Sequence, residues 1–347
     1  MGQERRFERT IGIDYSGAET AEACLKGLRV YQTLGDDPAE EVLPPAGPKK
    51  YWTRRGLAEW LVGTLDGQVP TVVGIDHGFS FPMRYFERHG LPPNWPAFLN
   101  DFCAHWPTDG KHTYVDFVRD GSVGNGAARW GERHWRRLTE EATGSAKSVF
   151  HFDVQGSVAK STHAGIPWLR YIRRARPELH FWPFDGWNPA SGASVITEAY
   201  PRLWSAAYAQ DHRTADQHDA YSIARWLQDA IITGEIEKAF AAPEPESVAM
   251  TGRVEGWILG CCWPPVTKQR RRMTSTKARA STTTQGYITR NRQEVLSKTG
   301  LPGNDHNQVV YLLKCHTCGA RYGVNGSDIF QRRCPECDGG RPGLGLG

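Results

Sequence analysis

Five carboxylates stand where a buried backbone element ends or begins, and four cysteines repeat at a short interval. Asp14 closes the run Thr-Ile-Gly-Ile-Asp and Asp76 closes Thr-Val-Val-Gly-Ile-Asp, each an apolar strand pattern ahead of a Gly-containing turn. An ionised carboxylate is rarely buried without a partner. Each position therefore implies a cation, a hydrogen-bond cage or a raised pKa, against the plainer alternative of capping the next turn. Glu198 lies in a third strand-like run, Val-Ile-Thr-Glu-Ala-Tyr over 195–200, stopped by Pro201. Asp216 and Asp219 are three residues apart, on one face of the first turn of a helix expected over Thr214–Phe240. A capping role would explain Asp216 at a helix N-terminus. It explains Asp219 less well, because that residue adjoins the apolar stripe Ala220, Ile223, Ala224, Leu227 and Ile231.

Cys315-His-Thr-Cys318 and Cys334-Pro-Glu-Cys337 are separated by 15 residues, the spacing of a zinc ribbon. Four matched thiolates complete a tetrahedral shell and leave no open position, so Zn²⁺ there is expected to be structural and to supply folding energy that so short a segment cannot bury as core. His316 is read as an intervening residue. Of the other cysteines, adjacent Cys261 and Cys262 lack ligand spacing, and Cys24 is expected to be a core thiol.

The elements that must position these groups follow from pattern. A strand pairs as a hairpin with a second over Ala23–Thr33. Thr53 caps a helix carrying Leu57, Trp60, Leu61 and Leu65, and a strand covers 71–76. Trp-rich helices fill 95–145, where Arg129, Arg133, Arg136 and Arg137 form either a basic face for phosphate or, as the plainer reading, a solvated helix face. Gln155–Thr162 superficially matches a nucleotide phosphate loop but lacks its glycines, and that reading is rejected. An Arg-rich helix and a strand over Phe181–Asp185 follow. Strands and helices together imply an α/β fold.

Formal charge is +4, yet nine Lys or Arg against Glu294 alone lie between Val266 and Lys298. Any grip on an anion is thus concentrated late in the chain. The first residues lack an apolar leader pattern and no apolar run of about 18 residues occurs, so no membrane association and a cytoplasmic location are expected.

The order strand-Asp, strand-Asp, strand-Glu, helix Asp-x-x-Asp resembles the RNase H-like nucleases, and the helical pair resembles the RuvC type of junction resolvase. Residues 11–17 (IGIDYSG), 74–82 (GIDHGFSFP), 155–169, 182–185 (WPFD), 198–203 (EAYPRL) and 216–220 (DQHDA) resemble the predicted RNase H-like nuclease family catalogued as domain-of-unknown-function 429. Gly78 stands where that family commonly has Pro. The resemblance covers about residues 8–240 and implies an RNase H-like mixed sheet flanked by helices over residues 1–245; beyond it, composition gives a basic Pro/Ser/Thr-rich linker over 246–284, and the cysteine spacing gives a zinc ribbon over 285–347. It implies a nuclease acting on DNA or RNA with Mg²⁺ or Mn²⁺ held by Asp14, Asp76, Glu198 and Asp219, Asp14 bridging two ions and Asp216 a ligand or orienting group. The ribbon would bind nucleic acid or a protein partner. A catalytically silent binding module of the same fold is the alternative. An actin-like kinase or ATPase shares the Ile-Gly-Ile-Asp opening but needs a second Gly-rich phosphate motif that this chain lacks.

Overall fold

A computed structural model describes residues 5–15, 19–154, 156–264, 282–305 and 308–345. The turn around Gly17, Gln155, the basic run 268–272, residues 274–281 and His306–Asn307 lie outside the described residues. The chain divides into two compact units, Met1–Val266 and Thr267–Gly347.

In the first unit, alternating apolar residues build β1 (Arg9–Tyr15), which pairs antiparallel with β2 (Leu28–Leu34); β3 (Glu40–Glu41) extends that edge. Helix α1 (Arg54–Thr64) begins at Thr53, whose hydroxyl accepts the Gly56 N–H at 3.0 Å, as its sequence predicts. Next come β4 (Thr71–Asp76), α2 (Met83–His89), α3 (Trp95–His105), α4 (Val115–Arg119), α5 (Leu138–Thr143) and α6 (Ala159–Ala175). They are followed by β5 (His180–Phe181), β6 (Val195–Glu198), α7 (Ala215–Thr233), α8 (Glu235–Phe240) and α9 (Glu246–Glu255). The sheet order is β3-β2-β1-β4-β6-β5, with β1, β4, β6 and β5 paired parallel and β2 antiparallel to both of its neighbours, β1 and β3.

Strand parity sorts the core into two layers. Ile11, Ile13, Val73, Ile75 and Ile196 pack with Leu57 and Leu61 of α1 and with Ile166 and Leu169 of α6. Val72 and Val195 face the other way, against Ile223 and Leu227 of α7, Phe240 of α8 and Val248 of α9.

Several expectations are corrected. The long helix breaks at Gly234, whose φ of 74° ends α7 and starts α8. The strand expected over 181–185 stops at Phe181, and Asp185 instead accepts the Phe181 N–H and pairs with Arg173 at 2.7 Å. Cys24 is exposed. Residues 246–264, expected in a linker, form α9 and a buried Trp257-Ile258-Leu259 segment bridged to β6 through Glu198 and Ile258, so the first unit runs well past residue 245. The apolar content of that segment holds it on the core. Arg129, Arg136 and Arg137 are not a phosphate face either: Arg129 pairs with Asp101 at 2.8 Å, Arg136 donates to the carbonyls of Glu140 and Ala146, and Arg137 is buried.

The second unit is a three-stranded antiparallel sheet, β7 (Gln293–Pro302), β8 (Val309–Cys315) and β9 (Arg321–Asn325). Its core is small: Val295, Leu313, Tyr322, Val324 and Ile329 around the buried Cys315 and Cys334. Among the described residues no helix is long and apolar enough to cross a membrane.

Candidate active site

Gly12 on β1 and Gly74 on β4 are register partners on the sheet face that α7 covers. A Cβ on Gly12 would collide with the Ala220 carbonyl, and one on Gly74 would come within 2.6 Å of the Ile223 side chain. Without side chains at these two positions α7 lies directly on the strands. Two residues on, with the same parity, Asp14 and Asp76 are also partners, so both project from this face toward the first turn of α7. That turn carries Asp216 and Asp219. The helix is capped by Thr214, whose hydroxyl accepts the Gln217 N–H at 3.2 Å while Gln217 Oε1 accepts the Thr214 N–H at 3.0 Å. The capping role is taken, so Asp216 is left to the cleft.

Asp14, Asp76, Asp216 and Asp219 line one cavity of about 650 Å³. Burial pushes the Asp76 carboxyl well above the usual range, and the negative charges of Asp219 and Glu198 push it further the same way. Burial also raises Asp219, with Asp216 adding to it. The acids that line the cavity therefore form an all-oxygen donor set with excess negative charge, which suits a hard cation. The same cavity is lined by Ser157, Lys160 and Ser161 at the N-terminus of α6 and by Arg202. Lys160 is paired with Asp116 at 2.5 Å, whereas exposed Arg202 has no hydrogen-bond or ion-pair partner among the described residues. Sequence reasoning set the 155–162 segment aside as a phosphate loop and missed Arg202; the weak signal for both was a run of small and basic residues.

Glu198 does not line this cavity. It pairs with Ile75 rather than Asp76, so its side chain leaves the opposite face of the sheet. There Arg137 grips both carboxylate oxygens, at 2.6 and 2.7 Å, and donates to Glu140 at 2.9 Å. The Phe79 N–H reaches Glu198 at 3.3 Å, and Glu255 accepts the N–H groups of Met83 at 2.6 Å and Leu138 at 2.7 Å. One guanidinium thus serves two buried carboxylates directly, with a third beside it. Burial raises the Glu255 carboxyl to about 7 despite those two bonds.

The chain matches no protein-family model, no curated protein and no solved structure.

In the second unit, the sulfurs of Cys315, Cys318, Cys334 and Cys337 all lie within 4.8 Å of one another, with Cys315–Cys337 at 3.7 Å and Cys318–Cys334 at 3.6 Å. Thiolates at about 2.3 Å around a tetrahedral ion stand roughly 3.8 Å apart. The four cysteines are therefore placed to hold a structural metal such as zinc, and the Thr317 N–H and the Gln293 amide point at the Cys315 sulfur, at 3.4 and 3.6 Å. Among the described residues no other three His, Cys, Asp or Glu gather this closely.

Proposed function

We propose that the first unit is a divalent-metal-dependent nuclease of RNase H-like architecture, hydrolysing phosphodiester bonds of DNA or RNA. The observation that carries this reading is the convergence of Asp14, Asp76, Asp216 and Asp219 on one cleft from two strands and a helix, with the ionised form of Asp76 disfavoured by burial and by the charges of Asp219 and Glu198, which a bound cation would offset. Asp14 and Asp76 would hold Mg²⁺ or Mn²⁺ from the sheet and Asp219 from the helix, with Asp216 a ligand or an orienting group. Two such ions would share Asp14. Bound there, the cations supply an activated water and stabilise the leaving oxygen.

The chain's own groups do the rest. Arg202 and the α6 N-terminus, which line the same cavity as the acids, would receive phosphate oxygens flanking the scissile bond. Glu198, expected as a ligand, takes a different part in this proposal: clamped by Arg137, it ties the 77–82 loop to α5 behind Asp76. Zn²⁺ in the second unit would be structural, and that unit would contact nucleic acid or a protein partner.

The test is incubation of the purified chain with labelled single-stranded, duplex and junction DNA and the corresponding RNA, with Mg²⁺, Mn²⁺ or EDTA. Cleavage that needs the metal and disappears in Asp76→Asn supports the proposal. Binding without cleavage of any form under either metal would replace it with a catalytically silent binding module.

A further inference from the structure

We propose that a hollow in the second unit, beside the Ile329–Gln331 turn, binds an unpaired nucleic-acid strand. It encloses about 440 Å³ and is lined by Phe330, Arg332, Arg333, Arg341 and the Gly339-Gly340 turn, with Asp328 the one carboxylate among its lining residues. That volume falls within the range of ligand pockets. The metal knuckle builds the wall: the N–H groups of Asp338 and Gly340 both donate to the Cys334 carbonyl, at 3.1 and 2.9 Å. Gly340 is needed where it lies, because a Cβ there would collide with the Arg333 carbonyl. Arg332 braces the turn by donating to the carbonyls of Arg341 and Pro342, both at 2.6 Å.

The other two arginines have no such structural duty. Arg333 and Arg341 are exposed, and among the described residues neither guanidinium has a hydrogen-bond or ion-pair partner. Two planar forks at the edge of a hollow suit phosphate oxygens, which they can engage in pairs. Beside them Phe330 keeps 48% of its surface exposed, with the Arg290 guanidinium 5.5 Å from its ring centroid. A lone exposed ring among cations is the composition of a stacking platform, on which a base lies while arginines follow the backbone. A duplex hides its base faces, so the ring selects an unpaired strand. The inference rests on the nuclease reading only in taking nucleic acid as the ligand, and it concerns binding rather than cleavage.

The experiment measures fluorescence anisotropy of labelled unpaired DNA, unpaired RNA and duplex DNA with the full chain, no divalent cation being added. Because no cleavage is read, a chain that hydrolyses nothing leaves this result standing. The expected result is tighter binding of one or both unpaired strands than of duplex, the preferred arm identifying DNA or RNA. Arg333→Ala with Arg341→Ala should weaken that binding by about tenfold and reduce the slope of log K against log salt by about 1.4. Phe330→Ala should cost about fivefold or more with the slope unchanged. Zinc content per chain, measured on each variant, shows whether the unit is folded. Variants that keep their zinc and bind every form as the parent does would overturn the proposal, as would duplex bound as tightly as unpaired strands.

Discussion

Asp14 and Asp76 are register partners on neighbouring parallel strands, with their Cα atoms about 4.8 Å apart and their side chains on one face of the sheet. Burial raises the Asp76 carboxyl well above the usual range, and the charges of Asp219 and Glu198 raise it further, so its ionised form is costly. Asp76→Asn keeps the shape and removes the charge. Cleavage should fall by orders of magnitude, while the metal-free melting temperature stays level or rises. A variant that is destabilised yet fully active would remove Asp76 from the chemistry.

Arg137 is 1% exposed and is the cation bonded to Glu198 and Glu140, both also buried. Arg137→Met leaves those carboxylates without their counter-charge. The expected loss is about 3–5 kcal/mol in urea unfolding followed by tryptophan fluorescence. Glu198→Gln, which keeps a hydrogen-bonding side chain opposite Arg137, should cost less and retain measurable metal-dependent cleavage. Complete loss of cleavage in a well-folded Glu198→Gln protein would return Glu198 to the metal site.

Gly12→Ala puts a methyl group into the backbone of α7 at Ala220 and Ala224. Helix and strand must separate, at roughly 1–3 kcal/mol, and Asp219 moves away from Asp14. Stability and cleavage should decline together, and added Mg²⁺ should raise the melting temperature less than in the parent.

Glu255 yields a pH test. Its carboxyl is raised to about 7, chiefly by burial, in the company of Arg137 and Glu140. A raised carboxyl contributes stability that is present below its unfolded value of about 4.5 and is lost as pH climbs through about 7. Glu255→Gln does not titrate. Its stability relative to the parent should therefore improve by up to roughly 3 kcal/mol between those two pH values, and a difference that is flat or runs the other way would contradict the assignment.

All 13 tryptophans lie at or before residue 263, so their fluorescence reports the first unit only. Stripping the metal, or Cys334→Ser, should unfold the 282–345 region as seen by hydrogen exchange. The tryptophan unfolding transition should not shift. A shift would mean that the two units unfold as one.

What local pattern could specify, the sequence alone determined. Ile11 and Ile13 before Asp14, and Val72 to Ile75 before Asp76, mark buried strands ending in an acid, because alternation and a following glycine are short-range signals. Thr214 followed by Gln217 marks a capped helix start, and two Cys-x-x-Cys pairs mark a metal knuckle, since cap and ligand spacing are both set within a few residues. Register was decided elsewhere. Glu198 opposes Ile75 rather than Asp76, and because side chains alternate with a period of two, that one-residue offset sends it to the far face and to Arg137, a residue 61 positions away. No local signal encodes such an offset; it follows from how β6 packs against β4 once both hydrophobic layers are filled. The same long-range packing folded residues 246–264 onto the core and brought Arg202 and the start of α6 to the cavity that the acids line, since burying apolar surface and aligning strands are properties of the assembled layers.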